Sequence, residues 1–173
     1  GSQGARCIND LAMAGIEKGL AGGARLIVQT GAADYGRVLA RVGAGGAAAV
    51  LPFHNRVSVL YSAADVAVAR AGAMSLTELS YFGLPSILVP YPYAADDHQT
   101  ANAEEYCREG CGMTMRQGGL SAEDLWRRLR SLLADPGALS GMRAACARLA
   151  SVNGSAARLI AERLLRLREG GAP

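Results

Sequence analysis

One acidic residue follows a short glycine turn, and a polar cluster comes soon after it. Glu78 stands six positions after Gly72, on a segment whose apolar spacing predicts a helix. A carboxylate there can accept hydrogen bonds from two vicinal hydroxyls, as acidic residues do for the ribose of dinucleotides. Imidazole and amide groups suit the hydroxyls of a sugar. The polar cluster that supplies such groups is Asp96, Asp97, His98 and Gln99.

Two glycine-containing turns precede predicted helices and offer backbone N–H groups to an anion. The dipole at a helix start favours negative charge in the same place. Taken singly, such a turn is more often only a turn. Two that face one space suit a diphosphate, and the hydroxyl of Ser2 would add a donor. The two turns are Gly1-Ser2-Gln3-Gly4 and Gly72-Ala73-Met74-Ser75.

Several other polar positions have a structural as well as a functional interpretation. His54 follows Phe53 at the end of a predicted strand, where it would contact a base or be an ordinary loop histidine. Arg70 ends another strand and would pair with a phosphate or with a neighbouring acid. Asp97 would be an ordinary N-cap, and together with Asp96 it makes a poor cage for Mg²⁺, so we expect no metal.

Short apolar runs alternate with longer amphipathic segments, which predicts parallel strands joined by right-handed crossovers. The predicted strands are residues 25–29, 47–51, 65–69, 86–89 and 111–115. The predicted helices are residues 5–18, 33–41, 57–63 (helix or turn), 75–82 and 99–109, one capped by Ser121, and two more at 138–150 and 155–168 after a turn at 135–137. The fold class is α/β, a Rossmann-like doubly wound parallel sheet that binds ligands beyond the carboxyl ends of its strands.

The chain opens on Gly1 rather than on methionine, and the turn there is typical of a loop that follows a strand. We therefore expect the 173 residues to be one domain, a fragment of a larger protein, without its first strand. Doubly wound sheets place that strand centrally. Its loss predicts an apolar groove between two neighbouring strands.

Composition excludes several classes of protein. Half of the residues are hydrophobic and 19% are charged, which argues against disorder, and a net charge of +3 is too small to indicate a nucleic-acid partner. No apolar run reaches the roughly 20 residues of a membrane span, and no signal peptide is visible. The four cysteines lack zinc-site spacing, so we expect reduced thiols. Arginine near the C-terminus favours a solvated helix face over a surface attracted to an anionic membrane.

Four stretches together resemble the C-terminal domain of the MurG family of peptidoglycan N-acetylglucosaminyltransferases, which are GT-B enzymes. That family transfers GlcNAc from UDP-GlcNAc to a lipid-linked muramyl pentapeptide, as a peripheral protein on the cytoplasmic side of the bacterial inner membrane. The stretches are GSQGAR at residues 1–6, QTG at 29–31, SAADVAVARAGAMSLTEL at 62–79 and GLPSILVPYPYAADDHQTAN at 83–102.

The resemblance implies a UDP-GlcNAc site made of specific residues. Glu78 would bind the ribose hydroxyls, and backbone near Phe53 and His54 would recognise uracil. His98 and Gln99 would contact the GlcNAc hydroxyls, although some relatives have two glutamines at these positions. The diphosphate would be held by the two glycine-containing turns and their neighbourhood: Ser2, Gln3, Gly4, Arg70, Gly72, Ala73, Met74 and Ser75.

The resemblance also implies an inverting transfer without a covalent intermediate, an obligatory metal or another cofactor. The general base and the lipid-linked acceptor would belong to an N-terminal domain outside this chain, so we expect this chain alone to be inactive. Other interpretations stay open: the donor domain of a lipid galactosyltransferase or of a UDP-GlcNAc 2-epimerase, a separate donor subunit, or a non-catalytic nucleotide-sugar binding module.

Overall fold

The computed structural model describes residues 5–42 and 48–168, where strands and helices alternate up to α6 and a second helix, α7, follows it directly. The strands are β1 (Leu26–Gln29), β2 (Ala48–Leu51), β3 (Ala67–Ala69), β4 (Ser86–Leu88) and β5 (Gly112–Thr114). The helices are α1 (Arg6–Glu17), α2 (Ala32–Val42), α3 (Val57–Ser62), α4 (Ala73–Tyr81), α5 (His98–Arg108), α6 (Ala122–Leu133) and α7 (Pro136–Arg168), with a 3₁₀ turn (Ala95–Asp97) before α5.

All strand pairs within the described residues are parallel, which confirms the predicted α/β class. β1 pairs with β2, and β4 lies between β3 and β5, with Ile87 opposite both Val68 and Met113. The sheet is in two pieces, β1-β2 and β3-β4-β5. A groove of about 960 Å³ is lined by residues of β1 on one side and of β3 on the other, as the sequence predicted.

Alternation along β4 gives the sheet a helical layer on each face. Leu88 packs into a cluster with Leu79 of α4, Tyr106 of α5 and Cys146 of α7. Ile87, its neighbour, belongs to a second cluster, with residues of α1, α6 and α7 that include Leu11, Leu125, Trp126 and Leu139. All three residues of β4 are buried, so this strand is the centre of the described core.

The ends of α4 and α6 follow from local sequence. Gly83 has a φ of 61°, and Leu84 N–H donates to Leu79 O at 2.9 Å, which is the Schellman arrangement that ends α4. Ser121 Oγ accepts from Asp124 N–H at 3.1 Å and donates to the Asp124 carboxylate at 2.6 Å. The predicted cap of α6 is therefore confirmed.

The prediction of two C-terminal helices after a turn is wrong. α7 is one helix of 33 residues, and it continues through Gly154. A single helical glycine costs only about 1 kcal/mol, which does not end a helix without a proline or a cap. The predicted turn is the start of α7: Pro136 is its first residue, and Asp135 Oδ1 accepts from Ala138 N–H at 2.9 Å.

Helices α1 and α6 approach closely because Gly15 has no side chain. A Cβ placed there would lie 1.6 Å from Nε1 of Trp126. That indole N–H donates to Leu11 O at 3.1 Å, so the ring is fixed in place. Gly15 is therefore required by the packing of α1 against α6.

We predict that Gly15→Ala lowers the free energy of unfolding by about 1–3 kcal/mol, despite the higher helix propensity of alanine. The matched control is Gly36→Ala in α2, where a Cβ meets nothing within 4 Å. There we expect a gain of about 0.5–1 kcal/mol. Urea denaturation measures both, and a stabilised Gly15→Ala would contradict this packing.

Asp34 links the first two helices to the end of β1. Arg37 Nε donates to its carboxylate at 2.6 Å, and Asn9 Nδ2 donates to it at 2.7 Å while also donating to Thr30 O. The hydrogen bond from Arg37, ahead of that from Asn9, lowers the pKa of Asp34 to about 2. Because the folded pKa lies below the unfolded value of about 3.9, Asp34 stabilises the fold above pH 4, and this contribution is lost as pH falls towards 2.

Replacing Asp34 tests this linkage. We expect the stability advantage of the wild type over Asp34→Asn to shrink as pH falls from about 5 to about 2. Asp65→Asn, at an exposed ion pair with Arg143, serves as the control and should change stability by less than about 1 kcal/mol. Thermal unfolding across the pH range gives the answer; a constant difference would rule out the contribution of Asp34.

Candidate functional site

The loops that follow β3, β4 and β5 are held together by one arginine. Nη1 of Arg70 donates to Val89 O at 2.9 Å and to Pro90 O at 3.0 Å. Its Nη2 donates to Oε1 of Gln117 at 2.7 Å, and the guanidinium lies over the ring of Tyr91, 5.3 Å from its centroid. The carboxyl ends of three strands therefore meet at one edge of the sheet.

Arg70 brings an uncompensated positive charge to this edge. Its hydrogen-bond acceptors are uncharged, and no ion pair within the described residues includes it. Burial raises the pKa of the Cys7 thiol, and the nearby charge of Arg70 partly opposes that shift. The first turn of α1 thus lies near Arg70. Of the two alternatives for Arg70, pairing with an acid is not found among the described residues, and direct contact with a phosphate stays a prediction.

The turn after Arg70 begins α4 as expected, though the helix starts two residues earlier than predicted. Gly72 is the N-cap, with φ −72° and ψ 139°, and no side chain caps the helix. Asn102 Nδ2 donates to Ala71 O at 3.2 Å and fixes the turn to α5. Ala73 and Met74 are exposed and Ser75 is partly exposed, so the first turn of α4 is accessible to a ligand.

Glu78 lies in the second turn of α4, and no acidic residue occupies the first turn. Its carboxylate is half-buried and accepts a hydrogen bond from the Tyr61 hydroxyl of α3 at 3.1 Å. Burial first, and then the charge of Glu78, raise the pKa of Tyr61 to about 12. The phenol therefore stays protonated and orients one carboxylate oxygen.

The polar cluster before α5 has a strained backbone. Asp96 and Asp97 both have positive φ, 49° and 51°, which non-glycine residues rarely adopt and which often marks a functional loop. Asp97 is in the N-cap position, but its side chain accepts from Thr100 Oγ1 at 2.6 Å rather than from a backbone N–H. The prediction of an ordinary cap is therefore wrong.

His98 and Gln99 are held by this loop. Nδ1 of His98 lies 2.7 Å from Ala95 O, and since a carbonyl only accepts, Nδ1 carries the proton in this contact. Gln99 Oε1 accepts from Tyr91 N–H at 3.0 Å. His98 is exposed, and in its neutral form Nε2 is left as an acceptor directed by the fixed ring.

The loop after β2 carries the other two predicted contacts. Phe53 is 60% exposed, and Nδ1 of His54 accepts from Arg56 N–H at 3.1 Å. His54 therefore stabilises its own loop, as expected of an ordinary loop histidine. The loop leads into α3, whose Tyr61 reaches Glu78, so it belongs to the same side of the molecule.

Three predicted diphosphate contacts cannot be compared with the structure, since Ser2, Gln3 and Gly4 lie outside the described residues. Within residues 5–42 and 48–168, no three His, Cys, Asp or Glu side chains form a group that could hold a metal ion. In the same part of the chain, no helix is long and apolar enough to cross a membrane. The four cysteines are free thiols, and Cys111 and Cys146 are buried.

Three residues of the site were missed by sequence reasoning. Tyr61 bonds Glu78 across 17 positions, and Gln117 bonds Arg70 across 47. Neither carries a local pattern that could have revealed these contacts. Asn102 was quoted at the end of a motif but was given no role, although its place one turn into α5 could have suggested a contact with the neighbouring loop.

Comparison with known proteins settles the family. Residues 1–164 match the glycosyltransferase family 28 C-terminal domain. The chain belongs to glycosyltransferase family 28. This assignment and the parallel sheet confirm the predicted fold class, the C-terminal half of a GT-B glycosyltransferase.

Curated members of family 28 are similar over nearly the whole chain. One from Chlorobium limicola is 40% identical over 96% of this chain, and one from Gloeobacter violaceus is 40% identical over 87%. Both are named UDP-N-acetylglucosamine–N-acetylmuramyl-(pentapeptide) pyrophosphoryl-undecaprenol N-acetylglucosamine transferase. The chain spans less than half of these relatives, 45% and 42% of their length.

Solved structures agree with the family 28 assignment. MurG of Acinetobacter baumannii has a TM-score of 0.71 and 28% identity, over 86% of this chain and 43% of that one. The resemblance to MurG is thereby confirmed. The glycosyltransferase VinC, solved with dTDP, shares the fold at a TM-score of 0.65 and 20% identity, over 86% of this chain and 35% of its own.

Arg70 is predicted to be the main support of the family 28 site. Arg70→Met leaves two backbone carbonyls without their donor, so we expect a loss of about 2–3 kcal/mol in the free energy of unfolding. Arg70→Lys should lose less, because one ammonium keeps the charge but not the planar fork. Amide exchange should quicken at residues 89–91 and 115–117.

The control for Arg70 is Arg127→Met, at an exposed ion pair with Asp124, where we expect a loss below about 1 kcal/mol. Urea denaturation compares the variants. Equal losses at the two positions would show that Arg70 does not hold the loops together.

Proposed function

We propose that this chain is the UDP-GlcNAc-binding domain of an inverting N-acetylglucosaminyltransferase that converts lipid I to lipid II in peptidoglycan synthesis. One observation carries the proposal: the motif residues of positions 70–102, which match the MurG pattern, form one edge of the sheet around Arg70 and Glu78. The names of relatives at 40% identity supply the sugar and the reaction.

The charge at this edge suits the diphosphate of the donor. Arg70 has no carboxylate partner among the described residues, and the accessible start of α4 offers N–H groups and a favourable dipole. The unplaced turn with Ser2, Gln3 and Gly4 precedes α1, whose first turn lies near Arg70. Two helix starts and one guanidinium are therefore available to the two phosphates.

The other contacts follow the shape of a nucleotide sugar. Glu78 accepts from the two ribose hydroxyls, and its position is set by Tyr61. Phe53 and His54 lie on the loop that receives uracil. His98 Nε2 and the Gln99 amide form hydrogen bonds with the GlcNAc hydroxyls. Gln99 Oε1 meanwhile still accepts the hydrogen bond from Tyr91 N–H.

The role of these residues in the reaction is to stabilise the leaving group. A hydroxyl of the acceptor attacks the anomeric carbon, the bond from that carbon to the β-phosphate oxygen breaks, and UDP leaves with the electron pair. The added negative charge on the diphosphate is met by N–H groups and Arg70, with no obligatory metal. The acceptor's proton goes to a base outside these 173 residues, so we expect no turnover by this chain alone.

The partners follow from the same proposal. The acceptor is lipid-linked, so the enzyme works as a peripheral protein on the cytoplasmic side of the plasma membrane, next to the anionic membrane surface. Two arginines of α6 contribute little to a contact with that surface, because they already have partners within the chain: Arg127 is paired with Asp124, and Arg130 donates to Leu20 O. Nucleic acid is not a proposed partner.

Calorimetry with UDP and 2′-deoxy-UDP tests the role of Glu78. A carboxylate that binds both ribose hydroxyls should favour UDP by about tenfold, since hydrogen bonds to charged groups contribute about 1.5–3 kcal/mol. Glu78→Gln should weaken UDP binding and remove most of that preference. Tyr61→Phe should have the same effect in smaller measure, because the carboxylate stays but loses its orienting donor.

The matched control is Glu109→Gln, an exposed glutamate at the opposite end of α5 from His98. It should bind both nucleotides like the wild type. UDP-GlcNAc should bind more tightly than UDP-galactose, and the reverse order would favour a galactosyltransferase. Unchanged UDP affinity in Glu78→Gln would refute every version of the donor site.

A further inference from the structure

A second positively charged pocket lies beside the loop that carries Gln117. It has a volume of about 580 Å³ and is bordered by the carboxyl end of β5, the loop at 115–120 and one face of α6. No described residue of the proposed donor site lines it, so it is a separate feature of the molecule. Its charged lining consists of three guanidinium groups and one carboxylate: Arg116, Arg127, Arg128 and Asp124.

The face of α6 that borders this pocket is set by helical spacing. Asp124, Arg127, Arg128 and Ser131 stand at positions i, i+3, i+4 and i+7, which share one side of a helix. The opposite side of α6 packs into the core through Leu125. The basic side chains therefore belong to one surface and not to scattered positions.

The balance of charge in the pocket favours an anion. Arg127 Nη2 lies 2.6 Å from Asp124 Oδ1, so these two charges offset each other. The hydrogen bond from Ser121, ahead of that from Arg127, lowers the pKa of Asp124, so the carboxylate is ionised and already has its donors. The positive charges of Arg116 and Arg128 are left in excess.

Neither of these two arginines has a strong acidic partner. Arg128 is exposed, and its guanidinium takes part in no ion pair or hydrogen bond within residues 5–42 and 48–168. Arg116 lies 3.9 Å from Glu104, and 81% of its side chain is exposed. An exposed pair at that distance holds an arginine only weakly. Both guanidinium groups are therefore available to a ligand.

A glycine turn adds backbone donors to the same pocket. Leu120 N–H donates to Gln117 O at 3.2 Å, and Gly119 has a φ of 76°, as the third residue of a type II turn requires. Within the described part of the chain, the N–H groups of Gly118 and Gly119 donate to no acceptor. A Cβ on either glycine would meet nothing within 4 Å, so the space beside these donors is open.

We propose that this pocket binds the phosphate group of a phosphate ester that is not the nucleotide-sugar donor. Guanidinium groups bind phosphate oxygens in a bidentate manner, and free N–H groups of a glycine turn are a common second set of donors. A phosphate fills only part of the 580 Å³, which leaves room beside Ser131 for the esterified group. A soluble phosphomonoester and the headgroup of an anionic phospholipid share this chemistry.

A nuclear magnetic resonance titration with glycerol 3-phosphate tests the pocket. The amide signals of Gly118 and Gly119 should shift and saturate, whereas sodium chloride at equal ionic strength should not saturate them. Arg116→Gln and Arg128→Gln should each weaken binding about tenfold, because each removes a charged hydrogen-bond donor. The matched control is Arg148→Gln, which removes the same charge from an exposed position of α7 outside the pocket and should bind like the wild type.

Vesicles identify the source of the phosphate. Phosphatidylglycerol in phosphatidylcholine vesicles presents the ester on a lipid, and vesicles of phosphatidylcholine alone are the control. If the ligand is a lipid headgroup, sedimentation with phosphatidylglycerol vesicles falls in Arg128→Gln but not in Arg148→Gln. If it is a soluble ester, the two variants sediment alike while the titration still separates them. Both results support a phosphate site.

Three results would overturn the proposal. The first is the absence of a saturating shift at Gly118 and Gly119, even with binding to phosphatidylglycerol, which then reports only a diffuse charged surface. The second is equal affinity of Arg128→Gln and Arg148→Gln for glycerol 3-phosphate. The third is displacement of glycerol 3-phosphate by one equivalent of UDP, which assigns the anion to the donor site. Urea midpoints of the variants establish that each of them folds.

Discussion

The arrangement of the candidate site depends on a single charged group with uncharged partners. Arg70 donates to the carbonyls of Val89 and Pro90 and to Gln117, and so ties three loops to one strand end. Because carbonyl and amide oxygens satisfy its hydrogen bonds without neutralising it, the guanidinium stays a source of positive potential. A carboxylate partner would satisfy the hydrogen bonds of Arg70 equally well but would cancel the attraction for an anion.

Around that charge, the fold places the buried packing and the exposed polar side chains in different parts. β4 is wholly buried, with Leu88 and Ile87 packed into separate helical layers, so the strand ends are fixed on both faces. The polar side chains lie on the short segments that leave those ends. This division lets the site use exposed residues such as Met74 and His98 without loss of core packing.

Sequence reasoning predicted most of the fold, because the spacing of apolar residues and the residues that begin or end helices act over only a few positions. Gly83 and Ser121 marked helix ends correctly, while the turn at 135–137 was misjudged because Asp-Pro is also a standard way to begin a helix. The site was predicted less completely. Candidate residues such as Glu78 came from chemistry and resemblance, but the contact of Tyr61 with Glu78 depends on how α3 packs beside α4, which no local pattern encodes.

The left-handed pair before α5 bears on how the proposed sugar contacts would be directed. Asp96 and Asp97 each hold a conformation that costs an ordinary residue of order 1–3 kcal/mol, and such conformations persist only where the surroundings determine them. The path of the main chain, and not merely the identity of His98, thus directs the side chains that follow. Exchanging histidine for glutamine there would change the functional group but not the backbone that directs it, so under the proposed function donor preference depends on the shape of the loop as well as on the residue at position 98.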